Sequence, residues 1–530
     1  MRRWNGWGDE GISYPFPESA RQYLESKVGR GQTIPDVSFE RALVAVPQSR
    51  LTPYPGISAE PADRLNHARG QSLPDWVALR YGRIEAFPDG VTYPTSDGQL
   101  RDLFAYASRM GACLIPYGGG TSVVGHINPR STDAPTVTID LSRMNRLIDL
   151  DVTSNLATFE AGVCGPDLEG RLREQGYTLG HFPQSWELST LGGWIATRSS
   201  GQLSYRYGRI EDLLAGGHVE TPAGPIDLLP LPASAAGPDL RQMILGSEGR
   251  YGIISRAIVR VRRVPHKENC HAIFFHDWVS GATAVREIAQ AGIPLSMMRL
   301  SNSQETQVML ALSGRDRLVA WADRGLRLFK YDEGRALLIL GVTGDRRLTR
   351  FARHEATAFA RKRGGFSVGT KIGHMWWKNR FMTPYLRNSL WEYGYALDTV
   401  ETALPWKKIE SAAERIQEAI RNGLRAYNER PLVFAHLSHM YGDGASIYTT
   451  FLWRRSPDPE ETLQQWRAMK REASQIIITS GGTISHQHGV GVDHAPYLKA
   501  EKGELGLRMI DALRNELDPG RMLNPGKMID

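Results

Sequence analysis

The stretch GHFPQSWELSTLGGWIATRSSGQLSYRYG, residues 180–208, constrains this chain more than any other. It carries almost no apolar run. A core segment that spent Ser185, Ser189, Thr190, Gly192, Gly193, Thr197, Ser199, Ser200 and Gly201 in this way would bury little apolar surface and would leave hydroxyls in need of partners. A backbone lying along a large polar ligand has a use for all of them. Glycines let it approach closely, and hydroxyls supply hydrogen bonds.

Two other stretches share that character. PYGGGTSVVGH, residues 116–126, follows the strand-like ACLIPY. A glycine-rich loop after a strand can bring backbone amides up to a phosphate. It is not a dinucleotide fingerprint, because Val123 stands where the third glycine belongs, and it contains no GxxxxGK[ST]. Taken alone, three glycines describe a tight turn equally well. GSEGRYGIIS, residues 246–255, again sets glycines and a hydroxyl before a strand.

Around these stretches the pattern predicts an α+β fold. Ser96 and Gln99 make a capping box. It opens a helix whose Leu100, Leu103, Phe104 and Ala107 recur at helical spacing, with Gly111 as the residue after its end. Val137, Ile139 and Leu141 alternate and predict a half-buried strand, followed by a turn and a hairpin. Pro166 and Gly176 bracket a short helix. A strand from Gly252 closes this region near Pro265. Beyond it, longer helices alternate with strands at HAIFFHDW, ALLILGVTG and GASIYTTFLW, and a helix over 505–517 precedes DPGRMLNPGKMID. The expected organisation is a partly helical lead-in over 1–75, a first domain over 76–265, a second over 266–500, and a C-terminal helix and tail over 501–530.

Composition excludes several classes. Cys113, Cys164 and Cys270 are the only cysteines in 530 residues. None form a CxxC pair, which argues against a disulfide framework or a thiolate zinc site and for a reducing cytosol. The formal charge of +7 favours phosphorylated or carboxylate substrates, or an anionic membrane surface. No basic run is interleaved with aromatics, so nucleic acid is not an expected partner. No apolar window is long enough to span a membrane. The N-terminal MRRWNGWGDE lacks the apolar core of a signal peptide, and the C-terminal KMID is not a peroxisomal address. The expected location is the cytoplasm, with peripheral contact to a membrane.

Together, the three stretches resemble the FAD-binding domain of the vanillyl-alcohol-oxidase (PCMH-type) flavoproteins, over roughly residues 75–265, and LDPGRMLNPGKM resembles the tail of the FAD-linked oxidases. RWNGWG, PYGGGTSV, GHFPQSWELSTLGGWIATRSSG, RYGRIEDL, SEGRYGII and SHQHGVG, in that order, are similar to the alkyldihydroxyacetonephosphate synthase family. The resemblance implies a two-subdomain FAD-binding domain under an α+β cap with an antiparallel sheet. It implies that Pro116, Tyr117, Gly118, Gly119, Gly120, Thr121 and Ser122 hold the FAD pyrophosphate. The flavin would lie along Pro183, Gln184, Ser185, Leu188, Ser189, Thr190, Gly193, Ala196, Thr197, Arg198 and Ser199, and Glu248, Gly249, Gly252, Ile253 and Ile254 would complete the site. Thr121 stands where some members carry a tethering histidine, so the FAD is expected to be non-covalent, with His126 structural.

In the cap, the resemblance assigns substrate phosphate to Arg387, because a guanidinium donates paired hydrogen bonds to such an anion. It marks Arg299 as a second arginine needed for activity and Tyr448 as the catalytic tyrosine, with Tyr441 ranked behind it. A tyrosine whose pKa is lowered by cationic neighbours can move protons. SHQHGVG departs from the family's three consecutive histidines: Gln487 lies between His486 and His488. Glutamine hydrogen-bonds but carries no proton, so His486 and His488 are expected to manage protons and Gln487 to touch substrate. A metal site built from His436 and His439 with His486 or His488 is the disfavoured alternative, and His494 is expected outside the site. The implied activity exchanges the acyl group of acyl-dihydroxyacetone phosphate for a long-chain alcohol in ether lipid synthesis, within a homodimer. The rival expectation is an FAD-linked dehydrogenase or oxidase of a 2-hydroxy acid or polyol phosphate.

Overall fold

The computed structural model describes residues 1–312, 326 and 331–529. Helix Asp97–Met110 begins where Ser96 Oγ accepts the Gln99 amide and ends at Gly111, which sits in the left-handed region. The expected capping box is only half made, because Gln99 Oε1 takes the Thr95 amide instead of that of Ser96. The helix buries Leu100, Leu103, Phe104, Tyr106 and Ala107 against a four-stranded sheet. That sheet is ordered Ile57–Ser58, Gly90–Thr92, Thr136–Asp140, Cys113–Tyr117, and its last three strands run parallel.

Thr136–Asp140 is buried throughout, not on one face as its alternation suggested, and Leu141 opens a 3-10 turn. The strand lies between two parallel neighbours, and such strands are covered on both faces. The hairpin is present as Leu147–Asp151 and Leu156–Glu160, in a five-stranded antiparallel sheet with Ile253–Arg260, Leu214–Thr221 and Gly224–Leu228.

The third sheet has seven strands among the described residues, all antiparallel, in the order Phe366–Ser367, Lys267–Phe275, Ala336–Gly344, Met297–Ser301, Leu432–Met440, Gly444–Arg454, Tyr395–Pro405. One face packs under helices. Helix Trp406–Gly423 lays Ile409, Ala412, Ala413, Ile416 and Ile420 on it, a helical stripe of the expected spacing. The other face is open to a cavity. Alternation along the strands sorts the side chains: Ile273 and Phe275 go under the helices, while Cys270, Ala272 and Phe274 join the cluster on the cavity side. HAIFFHDW is therefore a strand only to Phe275. Asp277 then caps a helix that starts at Trp278.

The ends of the chain are woven in. Trp7 and Asn388 exchange hydrogen bonds of 3.1 and 2.9 Å, and Arg2 donates to the Gly119 carbonyl. The C-terminal helix begins at Leu498, earlier than expected, with a break at Gly503. Past it, Leu523 bridges Leu114. No described helix is long and apolar enough to cross a membrane.

Candidate active site

A cavity of about 600 Å³ lies between the open face of the seven-stranded sheet and the glycine-rich loops. The loop wall is backbone. A Cβ on Gly119 would sit 1.8 Å from the Leu188 carbonyl oxygen, and Gly120 holds φ +65° with the Tyr117 hydroxyl against it. Neither position accepts a side chain, so residues 116–122 press directly on the 188–190 segment. Of the residues expected along FAD, Pro116 to Ser122, Pro183 to Ser185, Ser189, Thr190, Gly193, Ala196, Thr197, Ser199, Glu248, Gly249 and Gly252 to Ile254 line the cavity.

Leu188 and Arg198 do not line it. Leu188 packs on the core of the cap. Arg198 caps helix Leu191–Thr197 and turns its guanidinium to Leu245 and Gln242. The Glu248 carboxylate accepts the Val490 and Gly491 amides at 2.5 and 2.9 Å and lies 3.1 Å from His126. Burial would raise its pKa, but His126 and those amides hold it below the ordinary carboxylate value. Glu248 and His126 therefore pin the 489–491 loop to the wall of glycine-rich loops.

The opposite wall is made of side chains. Arg387 lines it with its guanidinium 4.3 Å from the Trp76 ring centre and one donor on the Gln71 carbonyl at 2.7 Å. Among the described residues, no carboxylate lies within ion-pair distance of it. Arg299 differs: its Nη2 lies 2.6 Å from Glu305 Oε1, and His436 Nδ1 lies 3.1 Å from the same oxygen. Burial opposes the Glu305 charge, yet Arg299 and His436 hold its pKa down to about 2.

Tyr448 stands opposite both His436 and Glu401 in the strand register. Its ring stacks on His436 with centroids 5.1 Å apart and meets His488 edge-on at 5.8 Å. Its pKa is not lowered, as the sequence suggested. Burial, with Glu401 next, pushes the phenol up, so Tyr448 is a proton donor and not a phenolate.

The histidines divide. His488 and Gln487 line the cavity, whereas His486 does not. His486 Nε2 lies 2.6 Å from Arg209 Nη1 and 2.7 Å from the Tyr441 hydroxyl. Arginine only donates, so Nε2 accepts and the proton sits on Nδ1. Burial, with His439 and Arg209, holds the His486 pKa well below its usual value. His486 is thus a neutral ring held by Arg209, a residue the sequence reading missed. His488 Nδ1 lies 3.2 Å from Glu401 Oε1, and the same oxygen accepts the Gln487 and His488 amides at 2.8 and 2.9 Å. Glu401, also missed, is 3% exposed.

His439 lines the cavity, with Nδ1 at 3.0 and 2.8 Å from the Ser200 and Ser204 hydroxyls. Burial, then Arg209, lowers its pKa to about 3. His494 is buried against the Gly489 carbonyl, away from the cavity. Among the described residues, no cluster with metal-ligand spacing occurs at this site. The one that does occur, Asp97, His218 and Glu220, lies elsewhere.

Residues 88–227 match the FAD binding domain family, and residues 264–528 match the family described as FAD linked oxidases, C-terminal domain. A Dictyostelium discoideum alkyldihydroxyacetonephosphate synthase is 30% identical over 88% of this chain and 77% of its own length. The chain belongs to the alkyldihydroxyacetonephosphate synthase family. A Trypanosoma brucei brucei member is 28% identical over 99% of the chain and 92% of its own length. A solved alkyldihydroxyacetonephosphate synthase structure superposes with a TM-score of 0.86 at 26% identity, covering 99% of this chain and 97% of that one. The chain is accordingly an FAD-dependent enzyme of the two-domain PCMH type, and the backbone cradle at Gly118–Gly120 fits that cofactor.

Proposed function

We propose that this enzyme exchanges the acyl group of an acyl-dihydroxyacetone phosphate for a long-chain alcohol. One observation carries the reading: Arg387, a guanidinium that no carboxylate meets at ion-pair distance among the described residues, lines the same cavity as the FAD cradle, together with Tyr448 and His488. Paired hydrogen bonds to a phosphate would satisfy it. In the exchange, the ester C–O bond to the substrate carbon breaks, the ether C–O bond forms, and fatty acid leaves as carboxylate with the proton of the alcohol released. FAD, held without a covalent tether, would take up the electron pair left on carbon when the proton next to the ketone is removed and return it as the acyl oxygen departs, so that it ends the exchange oxidised. His488, backed by Glu401, takes the proton next to the ketone. Tyr448 donates to the substrate oxygen, and Arg387 anchors the phosphate. Apolar lining beyond Arg387, including Leu24, Leu386, Leu390, Leu432 and Phe434, suits the alkyl chain. Helix Lys371–Asn379 at the cavity, with Met375 exposed beside Trp376 and Trp377, suits peripheral contact with the membrane that supplies such a lipid.

The test is anaerobic mixing of FAD-loaded protein with palmitoyl-dihydroxyacetone phosphate and hexadecanol. Ether product with the flavin still oxidised is expected. Flavin bleaching without ether would move the protein to the dehydrogenases.

A further inference from the structure

The cavity has a second apolar side, away from Arg387. Helix Ser303–Leu312 divides the two: Val308 and Leu312 pack with the cluster beyond Arg387, while Met309 packs with Phe182, Phe274, Met297 and Leu337. On this second side the wall ends at Arg380, which lines both the main cavity and a separate pocket of about 390 Å³. That outer pocket lies between the two domains and presents Phe182, Trp186, Trp377 and Phe381.

Arg380 is placed as an anion-binding residue would be. Its guanidinium carbon lies 3.5 Å from the Trp377 ring centre, 4.6 Å from that of Phe381 and 5.7 Å from that of Phe182. Nη1 donates to the Trp377 carbonyl at 3.2 Å, and the buried Nε has no hydrogen-bond partner. Among the described residues, no carboxylate comes within ion-pair distance. Glu268 and Arg173 act on it from farther off. Glu268 lines the same pocket and opposes an anion, although burial raises its pKa and so disfavours its charge. Glu169 is already met by Arg173 at 3.3 Å and by the Thr178 hydroxyl at 2.8 Å. A largely buried cation without a counter-ion is costly unless an anion arrives. The backbone of Arg380 also touches the flavin side, because its carbonyl accepts the Gln184 side-chain amide at 2.5 Å.

We infer that Arg380 receives the carboxylate of the fatty acid released in the exchange, with the chain running out along Trp186, Trp377 and Phe381 in the outer pocket. Of the arginines that line the cavity, Arg387 and Arg380 have no carboxylate at ion-pair distance among the described residues, and they would split the anions of one reaction: Arg387 takes the phosphate that stays, and Arg380 the carboxylate that leaves. This rests on the exchange reading for its biological sense, but not for its test.

The experiment measures binding of palmitate, palmitamide and hexadecanol to the FAD-loaded protein at pH 8. The wild type should prefer palmitate to palmitamide by about tenfold or more, the worth of a charge-assisted hydrogen-bonded contact. Arg380→Met should remove that preference and leave hexadecanol binding unchanged. Arg380→Lys should restore part of it, and Arg387→Met should retain it. If Arg380→Met does not hold FAD, the wild-type preference and its survival in Arg387→Met still decide. No preference in the wild type, a preference lost in Arg387→Met, or one that survives Arg380→Met would overturn the site and leave Arg380 as a helix cap on the Trp377 carbonyl. Palmitate held at Arg380 without ether formation would keep this site and sink the exchange reading. Ether formation with palmitate binding indifferent to Arg380 would do the reverse.

Discussion

The loop Pro116–Ser122 and the strands carrying Arg299, His436 and Tyr448 face each other across one cavity, yet they make their surfaces differently. The loop wall is main chain, shaped by glycines that admit no side chain and pressed on the 188–190 segment. The sheet wall is side chain, and its carboxylates are met by basic groups: Glu305 by Arg299 and His436, and Glu401 by His488. A backbone wall can hold a cofactor common to a superfamily. A wall of paired charges can be retuned one residue at a time. The first should therefore govern FAD retention and the second turnover, each with little effect on the other.

The harshest way to break that comparison is Gly119→Val. With even a Cβ 1.8 Å from the Leu188 carbonyl, the loop must move. The purified protein should emerge without FAD, seen as loss of flavin absorbance. A yellow Gly119→Val protein would show that the loop does not set cofactor binding.

Next in size is His488→Asn, which should lower the ether-forming rate by about 10²- to 10⁴-fold, the usual worth of a positioned acid–base group, with FAD content unchanged. His486→Asn should cost about tenfold or less, because Arg209 already holds that ring neutral and outside the cavity lining. The reverse order in a turnover assay would hand the base role back to His486.

Arg387→Met removes charged hydrogen bonds to the phosphate. KM for the phosphorylated substrate should rise about 10- to 100-fold, with hexadecanol saturation unmoved. Equal loss for both substrates would place Arg387 in general architecture.

The smallest effect on turnover comes from a change that acts on stability instead. His181 is buried against Ser199 and Trp194, His439 against the Ser200 and Ser204 hydroxyls, and His494 lies behind the 489–491 loop. Burial, the largest cause for each, lowers all three pKa values from 6.5 to about 3. Below pH 6.5 the unfolded chain binds protons that the folded one refuses, so stability is present above that value and falls as pH drops toward 3. Thermal melting should show a steady loss from pH 6.5 downward, on the order of 1 kcal/mol per pH unit for each such histidine. A flat profile between pH 6.5 and about 4.5 would mean these rings protonate in the folded state.

The same contrast explains what could be read from the chain. The loop wall is local in sequence: GGG and the 180–208 stretch carry their own signal, and most of their residues line the cavity. Leu188 and Arg198 were misread because neighbours in a loop alternate between facing ligand and facing core. On the sheet wall, Arg387, Tyr448 and His488 are named by the resemblance, and all three line the cavity. Their partners are not named by it, because Glu305, Glu401 and Arg209 are brought in by packing and strand register from distant segments. A buried glutamate opposite a tyrosine in a strand carries no local mark. The expected fall in the Tyr448 pKa failed first because burial raises it, and next because Glu401, its cross-strand partner, was unseen. Thr136–Asp140 failed similarly, since its alternation does not reveal that the face opposite Val137 and Ile139 is buried too.

The most direct test of the division between the walls is to titrate FAD into apoprotein of the wild type, Arg387→Met and His488→Asn, and follow single-turnover ether formation in each. The division predicts three equal FAD affinities, with ether formation largely lost in His488→Asn and recovered in Arg387→Met only at high substrate. FAD affinity falling in step with ether formation would contradict it and make the two walls one inseparable site.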